Sequence, residues 1–147
     1  FGPEKVLECY QSEAAKGWEA IAVMEEALDR TQGEDRRRLE GEIGLCKFHV
    51  IQTQSGANVV DFLLARNAYY ASEDAAEKRE LLDRLETICR REANNAQAAL
   101  PLMQADPRLG WHGEAYGYMI SPELVEQKLA GLHDLLDRRL PEERAGL

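Results

Sequence analysis

Apolar residues recur at spacings of three and four through almost the whole chain, and a period near 3.6 leaves helices as the regular structure able to gather them onto one face. From Pro3, well placed for a first helical turn, to about Thr31, the stripe runs Leu7, Tyr10, Ala14, Trp18, Ile21, Met24 and Leu28. Gly33 breaks it, and a second helix starts near Glu34 with acids in its first turn, where they complement the helix dipole. Its stripe is Leu39, Ile43, Cys46, Val50, Thr53, Ala57, Val60 and Leu64. Such a helix spans roughly 50 Å at 1.5 Å per residue. Gly41, Gly44 and Gly56 each cost about 1 kcal/mol relative to alanine, which predicts close helix packing or a kink there.

Ser72 reads as the N-cap of a third helix, with Glu73 and Asp74 in its first turn and Leu81, Leu85, Ile88, Ala96 and Ala99 on its face. Pro101 removes a backbone donor and clashes with the carbonyl of Gln97, so a kink or an end is expected near Leu100, before the Asp106-Pro107 break. Ser121-Pro122-Glu123 is a start signal for a last helix. Leu124, Lys128, Leu132, Leu135 and Leu136 carry that helix to about Leu140, where Pro141 is expected to close it. The reading is all-α: an antiparallel helical bundle of about four helices with a long aromatic and glycine-rich connector before the last. Both an up-down bundle and a three-helix core with the last helix laid across it satisfy the pattern. At 147 residues one domain covers the chain, and a start at Phe1 reads as a domain cut from a longer protein.

Charge narrows the partners. The formal charge of −9, from 27 acids against 18 bases, argues against nucleic acid, which needs a basic footprint to displace phosphate counterions. The basic run Arg36-Arg37-Arg38 is flanked by Glu34, Asp35 and Glu40 and reads as a solvated helix face. No apolar run approaches the ~20 residues needed to cross a bilayer, so no membrane partner is expected. Cys9, Cys46 and Cys89 are odd in number and sit among apolar neighbours, which reads as small buried hydrophobes in a reducing, cytoplasmic setting.

The usual reaction motifs are missing. None of His49, His112 and His133 has a glutamate three residues before it, as two-metal carboxylate bundles require. Cys46 and His49 stand at i and i+3, yet a structural zinc needs two further convergent ligands. No nucleophile elbow, phosphate-cradling glycine loop or His-Glu-x-x-His occurs. The acid pairs Glu25/Glu26 and Glu142/Glu143 lack the apolar surroundings that tune a general acid. No catalytic residue, metal site or cofactor is therefore expected. Gln52, Gln54, Asn58, Asn67, Asn94 and Asn95 fall near inward faces, where a buried amide must be hydrogen-bonded; Asn94 and Asn95 are the expected braces of the connector.

The connector from Leu109 to Tyr118 is the one stretch that helical pattern does not explain. Its rings Trp111, Tyr116 and Tyr118, with Arg108, His112 and Glu114, form a candidate loop for a ligand or for docking a domain. Flat rings beside acids suit a sugar face. They better suit a plug over the open end of the bundle, their polar tips bonded to backbone, with docking on a neighbouring domain next and a direct ligand site last. Gly110, Gly113 and Gly117 would supply the positive φ angles of a folded-back loop.

At this stretch Asn95-Ala96, Leu100-Pro101-Leu102, Asp106-Pro107-Arg108-Leu109-Gly110-Trp111 and Tyr118-Met119 form a series. It resembles the helical region that follows the catalytic barrel in some large bacterial glycoside-hydrolase-like proteins. The resemblance implies a C-terminal accessory domain without its own activity, packing on a neighbouring catalytic domain of the parent chain or mediating dimerisation. The heptad-like stripe of the second helix independently suggests a freestanding oligomerisation module, a homodimer.

Overall fold

The computed structural model describes residues 2–112 and 117–147, with Trp111, His112 and Tyr118 described in their backbone alone. Four long stretches are helical: α1 (Pro3–Leu28), α2 (Gly33–Ala71), α3 (Ala75–Ala105) and α4 (Pro122–Asp134). The last continues through a π turn, Leu135–Arg139, into α5 (Leu140–Ala145). The all-α fold class is as expected, and none of the described helices is long and apolar enough to cross a membrane.

The element ends depart from the sequence reading in three places. Asp74, not Ser72, caps α3: its carboxylate accepts from the backbone N–H of Ala76 at 2.6 Å and of Glu77 at 3.1 Å. Ser72 instead ends α2, and its hydroxyl accepts from the backbone N–H of Asp74. Pro101 does not stop α3, which runs on to Ala105. Pro141 does not close the chain's last helix either, because the π turn before it re-registers the backbone hydrogen bonds, with the Leu140 N–H donating to the Leu135 carbonyl. The start at Ser121 is as read, its hydroxyl accepting from the Leu124 N–H.

Three apolar clusters hold the helices. Ala14 and Ile21 of α1 meet Ile43 and Val50 of α2. Phe48 and Ile51 of α2, Ala96, Ala99 and Met103 of α3, Leu109, and Val125 and Leu129 of α4 form the second. Ala65 and Tyr69 of α2, Leu82, Leu85, Ile88 and Cys89 of α3, and Leu140 form the third. These pairings run antiparallel, as short links demand. Each helix packs on its neighbour in sequence: α1 on α2, α2 on α3, α3 on α4. Among the described residues, α2 and α4 both rest on α3 without their backbones meeting, and α1 reaches α2 alone. The bundle is thus an open up-and-down array rather than a closed ring.

α1 is thinly held. Of its expected stripe only Ala14 and Ile21 are buried, while Trp18 is 41% exposed and Tyr10 also lies at the surface. Gly17 is what lets α1 approach, since a Cβ there would stand 2.4 Å from Val50 Cγ2. Gly56 plays the same part beneath the Tyr10 ring, whereas Gly41 and Gly44 have open space above them, so of the three glycines expected to mark close packing or a kink, close packing explains only Gly56. The cysteines also divide: Cys89 is buried, Cys46 half-buried and Cys9 exposed, correcting the expectation that all three are core.

After α3 the chain turns at Asp106 and enters a minimal antiparallel ribbon, Trp111 opposite Tyr118 and His112 opposite Gly117. Leu109 anchors the entry in the core. Gly110 has φ +84°, and a Cβ would lie 2.0 Å from the Ile120 carbonyl oxygen, so only glycine fits that crossing.

Candidate functional site: a polar clamp and an apolar groove

Between the second and third apolar clusters the α2–α3 contact turns polar. Ser55, Asn58 and Asp61 recur at helical spacing on the face of α2, and Arg84, Arg91 and Glu92 answer them from α3. Asn58, 1% exposed, donates through Nδ2 to Glu92 Oε2 at 2.5 Å and accepts at Oδ1 from Arg91 Nε at 2.6 Å and Gln54 Nε2 at 3.2 Å. Asp61 takes Arg84 on one oxygen at 2.6 Å and Arg91 on the other at 2.8 Å. Glu92 Oε1 accepts from the Ser55 hydroxyl at 2.6 Å and from the Lys128 ammonium of α4, which also donates to Ser55 Oγ at 2.7 Å. No buried side-chain nitrogen or oxygen among the described residues lacks a partner. Burial alone pushes the Asp61 carboxyl up, but the hydrogen bonds and charges of Arg91 and Arg84 outweigh it and hold Asp61 below the usual carboxylate range.

A serine hydroxyl beside a lysine and a glutamate invites a catalytic reading, and the geometry argues against it. Lys128 is committed to an ion pair with Glu92. Ser55 sits inside α2, where neighbouring backbone N–H groups serve the helix and none is free to stabilise an oxyanion. The cluster is a clamp across three helices. Removing Lys128 would leave the buried Glu92 carboxylate uncompensated, at a cost of about 3–5 kcal/mol.

Because α2 and α4 do not meet, an apolar groove lies between them with α3 as its floor. Its larger section, about 530 Å³, is lined by Phe48, Ile51 and Val59 of α2, Ala96 and Ala99 of α3, and Leu124 of α4, with Tyr10 of α1 at the rim. A smaller section of about 180 Å³ is lined by Val59, Phe62, Leu63, Ile88, Leu132 and Leu135. Val59, Glu92 and Lys128 line both, so the ion pair and Val59 form the waist between them. Val59, Leu63, Leu124 and Met119 along the groove are exposed, Met119 at 63%.

The loop residues singled out from sequence fall elsewhere. Arg108 is exposed and its guanidinium is spent on Asp106, at 2.9 Å and 2.6 Å, while its backbone N–H donates to the same carboxylate. These hydrogen bonds hold the Asp106 carboxyl down at about 2. Glu114 and Tyr116 lie outside the described residues, as do the side chains of Trp111, His112 and Tyr118, so the ring plug and the sugar face both fall there. Asn95 donates to the Ile51 carbonyl at 2.9 Å, tying α3 to α2 rather than to the connector, and Asn94 is exposed. Cys46 and His49 do not converge on a metal site: His49 points to Glu13 at 3.3 Å, and no cluster of three or more ligand residues forms among the described ones. Arg36 and Arg37 pair with Glu40 and Glu34 at 3.0 and 2.7 Å, as a solvated face would.

Sequence reasoning marked Asn58 as an inward amide and missed its charged companions. Two signals were present: Glu92 keeps phase with Ile88, Cys89 and Ala96, and Lys128 falls inside the apolar stripe of the last helix. A charge in an inward phase marks a partner arriving from another helix. The chain matches no known protein family, no curated protein and no solved structure.

Proposed function

We propose that this chain is a non-catalytic helical accessory module whose role is to dock a neighbouring domain of its parent protein through the groove between α2 and α4. One observation carries the reading: apolar side chains that a closed bundle would bury, Val59, Leu63, Leu124 and Met119, stand exposed along one concavity. The carbohydrate-active character of the parent rests on the resemblance of the 95–119 stretch to helical regions behind glycoside-hydrolase barrels. The test is hydroxyl-radical footprinting of the parent protein against this isolated chain. Protection of Met119, Leu124 and Leu63 in the parent alone supports docking; equal labelling in both overturns it.

A homodimer is the second reading, and a different face motivates it than the sequence suggested. The stripe containing Ile43 and Val50 is consumed by α1, but Leu45, Val59, Leu63 and Tyr70 keep heptad-compatible spacing on an exposed side of α2. Sedimentation velocity over a hundredfold concentration range separates the two readings.

A further inference from the structure

The groove has the form of a missing helix position. Three helices, α2, α3 and α4, supply two walls and a floor, and among the described residues no helix takes the fourth corner of a bundle, because α1 packs on another flank of α2. α1 sends only Tyr10 to the rim. We infer that the occupant is an amphipathic α-helix of the partner, carrying two apolar anchors about two turns apart and an acidic residue between them. This rests on the docking function proposed above and specifies its partner.

Three features point to that chemistry. First, the two sections meet at a waist that carries the Glu92–Lys128 pair beside Val59, so one continuous greasy ligand would lay carbon across an ion pair. A helix with a polar residue between two anchors would not. Second, the wall residues on either side of the waist, Leu124 and Leu132 on α4, Gly56 and Leu63 on α2, are seven or eight residues apart. A helix lying alongside meets the two sections with side chains at i and i+7, and the waist with i+3 or i+4. Third, the waist offers a cation. Lys128 uses two of its three ammonium hydrogens, on Glu92 and Ser55, and its side chain, 39% exposed, lines both sections. Of the two charges at the waist, the Lys128 side chain is 39% exposed and the Glu92 side chain 6%, so the charge that a partner meets is the cation, which favours an acid from the partner.

The test uses the whole 147-residue chain and a pair of synthetic helical peptides. Both carry leucines at i and i+7 on an otherwise polar helix; one has glutamate at i+4 and the other lysine. Calorimetric titration should show the glutamate peptide binding about tenfold more tightly, the discrimination expected of one charge-assisted hydrogen bond. Its amide NMR shifts should centre on Val59, Leu63 and Leu124. Leu124→Asp, at an exposed rim position, should abolish binding with the circular dichroism unchanged. Lys128→Met leaves the Glu92 carboxylate without its counter-charge and should turn the preference to the lysine peptide; if that variant unfolds, Leu124→Asp and the peptide pair still decide. Equal affinity of both peptides for the native chain, or no binding of either, overturns the inference. If the peptides fail while the parent still protects the groove from labelling, the docking function survives with a partner of other chemistry. If the isolated chain is a dimer with the groove protected, the occupant is a second copy and the acidic helix is wrong.

Discussion

α2 has two neighbours, and it holds them by different means. Toward α3 it presents two apolar clusters with a fully satisfied polar clamp between them; toward α1 it presents one small cluster in which only Ala14 and Ile21 of the partner helix are buried. The α3 contact combines oily area with directional bonds that accept one register. The α1 contact depends on small residues, with Gly17 letting the backbone approach Val50. The difference teaches that helix length is a poor guide to how firmly a helix is held. α1 has 26 residues and contributes little that only it can bury. In such an array the terminal helix is the first unit expected to open, because it has one neighbour instead of two.

The sharpest way to break this comparison is at the clamp. Glu92→Ala should lower global stability by about 3 kcal/mol in urea denaturation, since it takes the acceptor from the buried Asn58 amide and the counter-charge from Lys128. A loss below about 1 kcal/mol would mean that the clamp is incidental and the two seams are alike. Next, Ile21→Ala should cost about 2 kcal/mol, felt locally. Hydrogen exchange should then quicken through α1 while the amides of α3 around Ile88 keep their protection. Equal acceleration in both helices would show that α1 belongs to the same cooperative unit.

Acid offers a smaller probe of the α3 seam. The folded-state pKa of Asp61 lies below its ordinary value, so its contribution is fully present above about pH 4 and is lost as the pH falls through the depressed folded value. Native protein should therefore lose stability below pH 4 by more than Asp61→Asn does; parallel curves for the two would remove Asp61 from the account. The mildest probe leaves the structure intact. Cys9, exposed on α1, should react with a thiol reagent at pH 8 without denaturant. Cys89 on α3 should stay silent until unfolding, because burial first and the nearby Glu86 and Glu92 charges second push its thiol up to about 11. Fast labelling of Cys89 would reverse the ranking of the two seams.

Much of the fold was legible because its signals are local. The periods of α1 and α2, the break at Gly33 and the Ser121-Pro122 start each depend on a few adjacent residues. Of the two outcomes expected at Pro101 the helix end did not occur, because a helix carried by tertiary packing tolerates an interior proline, and Pro141 closes nothing because a π turn accommodates it. The site was far less legible. Glu92 carries no local signal beyond its phase, Lys128 stands in the sequence only as one member of the last helix's stripe, and the rings of the connector are conspicuous by type.

By itself, then, the sequence determined the number and approximate ends of the helices, the phase of their apolar faces and the acidic character of the chain. These follow from backbone propensity and side-chain spacing, which act over a few residues. Which face meets which was decided only in three dimensions: that α1 takes the Ile43–Val50 stripe, that Asn58, Glu92 and Lys128 converge, and that α2 and α4 stay apart. A buried charge is stable only when its counterpart, here 36 residues away from Glu92 to Lys128, arrives at hydrogen-bonding distance. An open groove exists only once three helices have taken their relative positions, so no local pattern announces it.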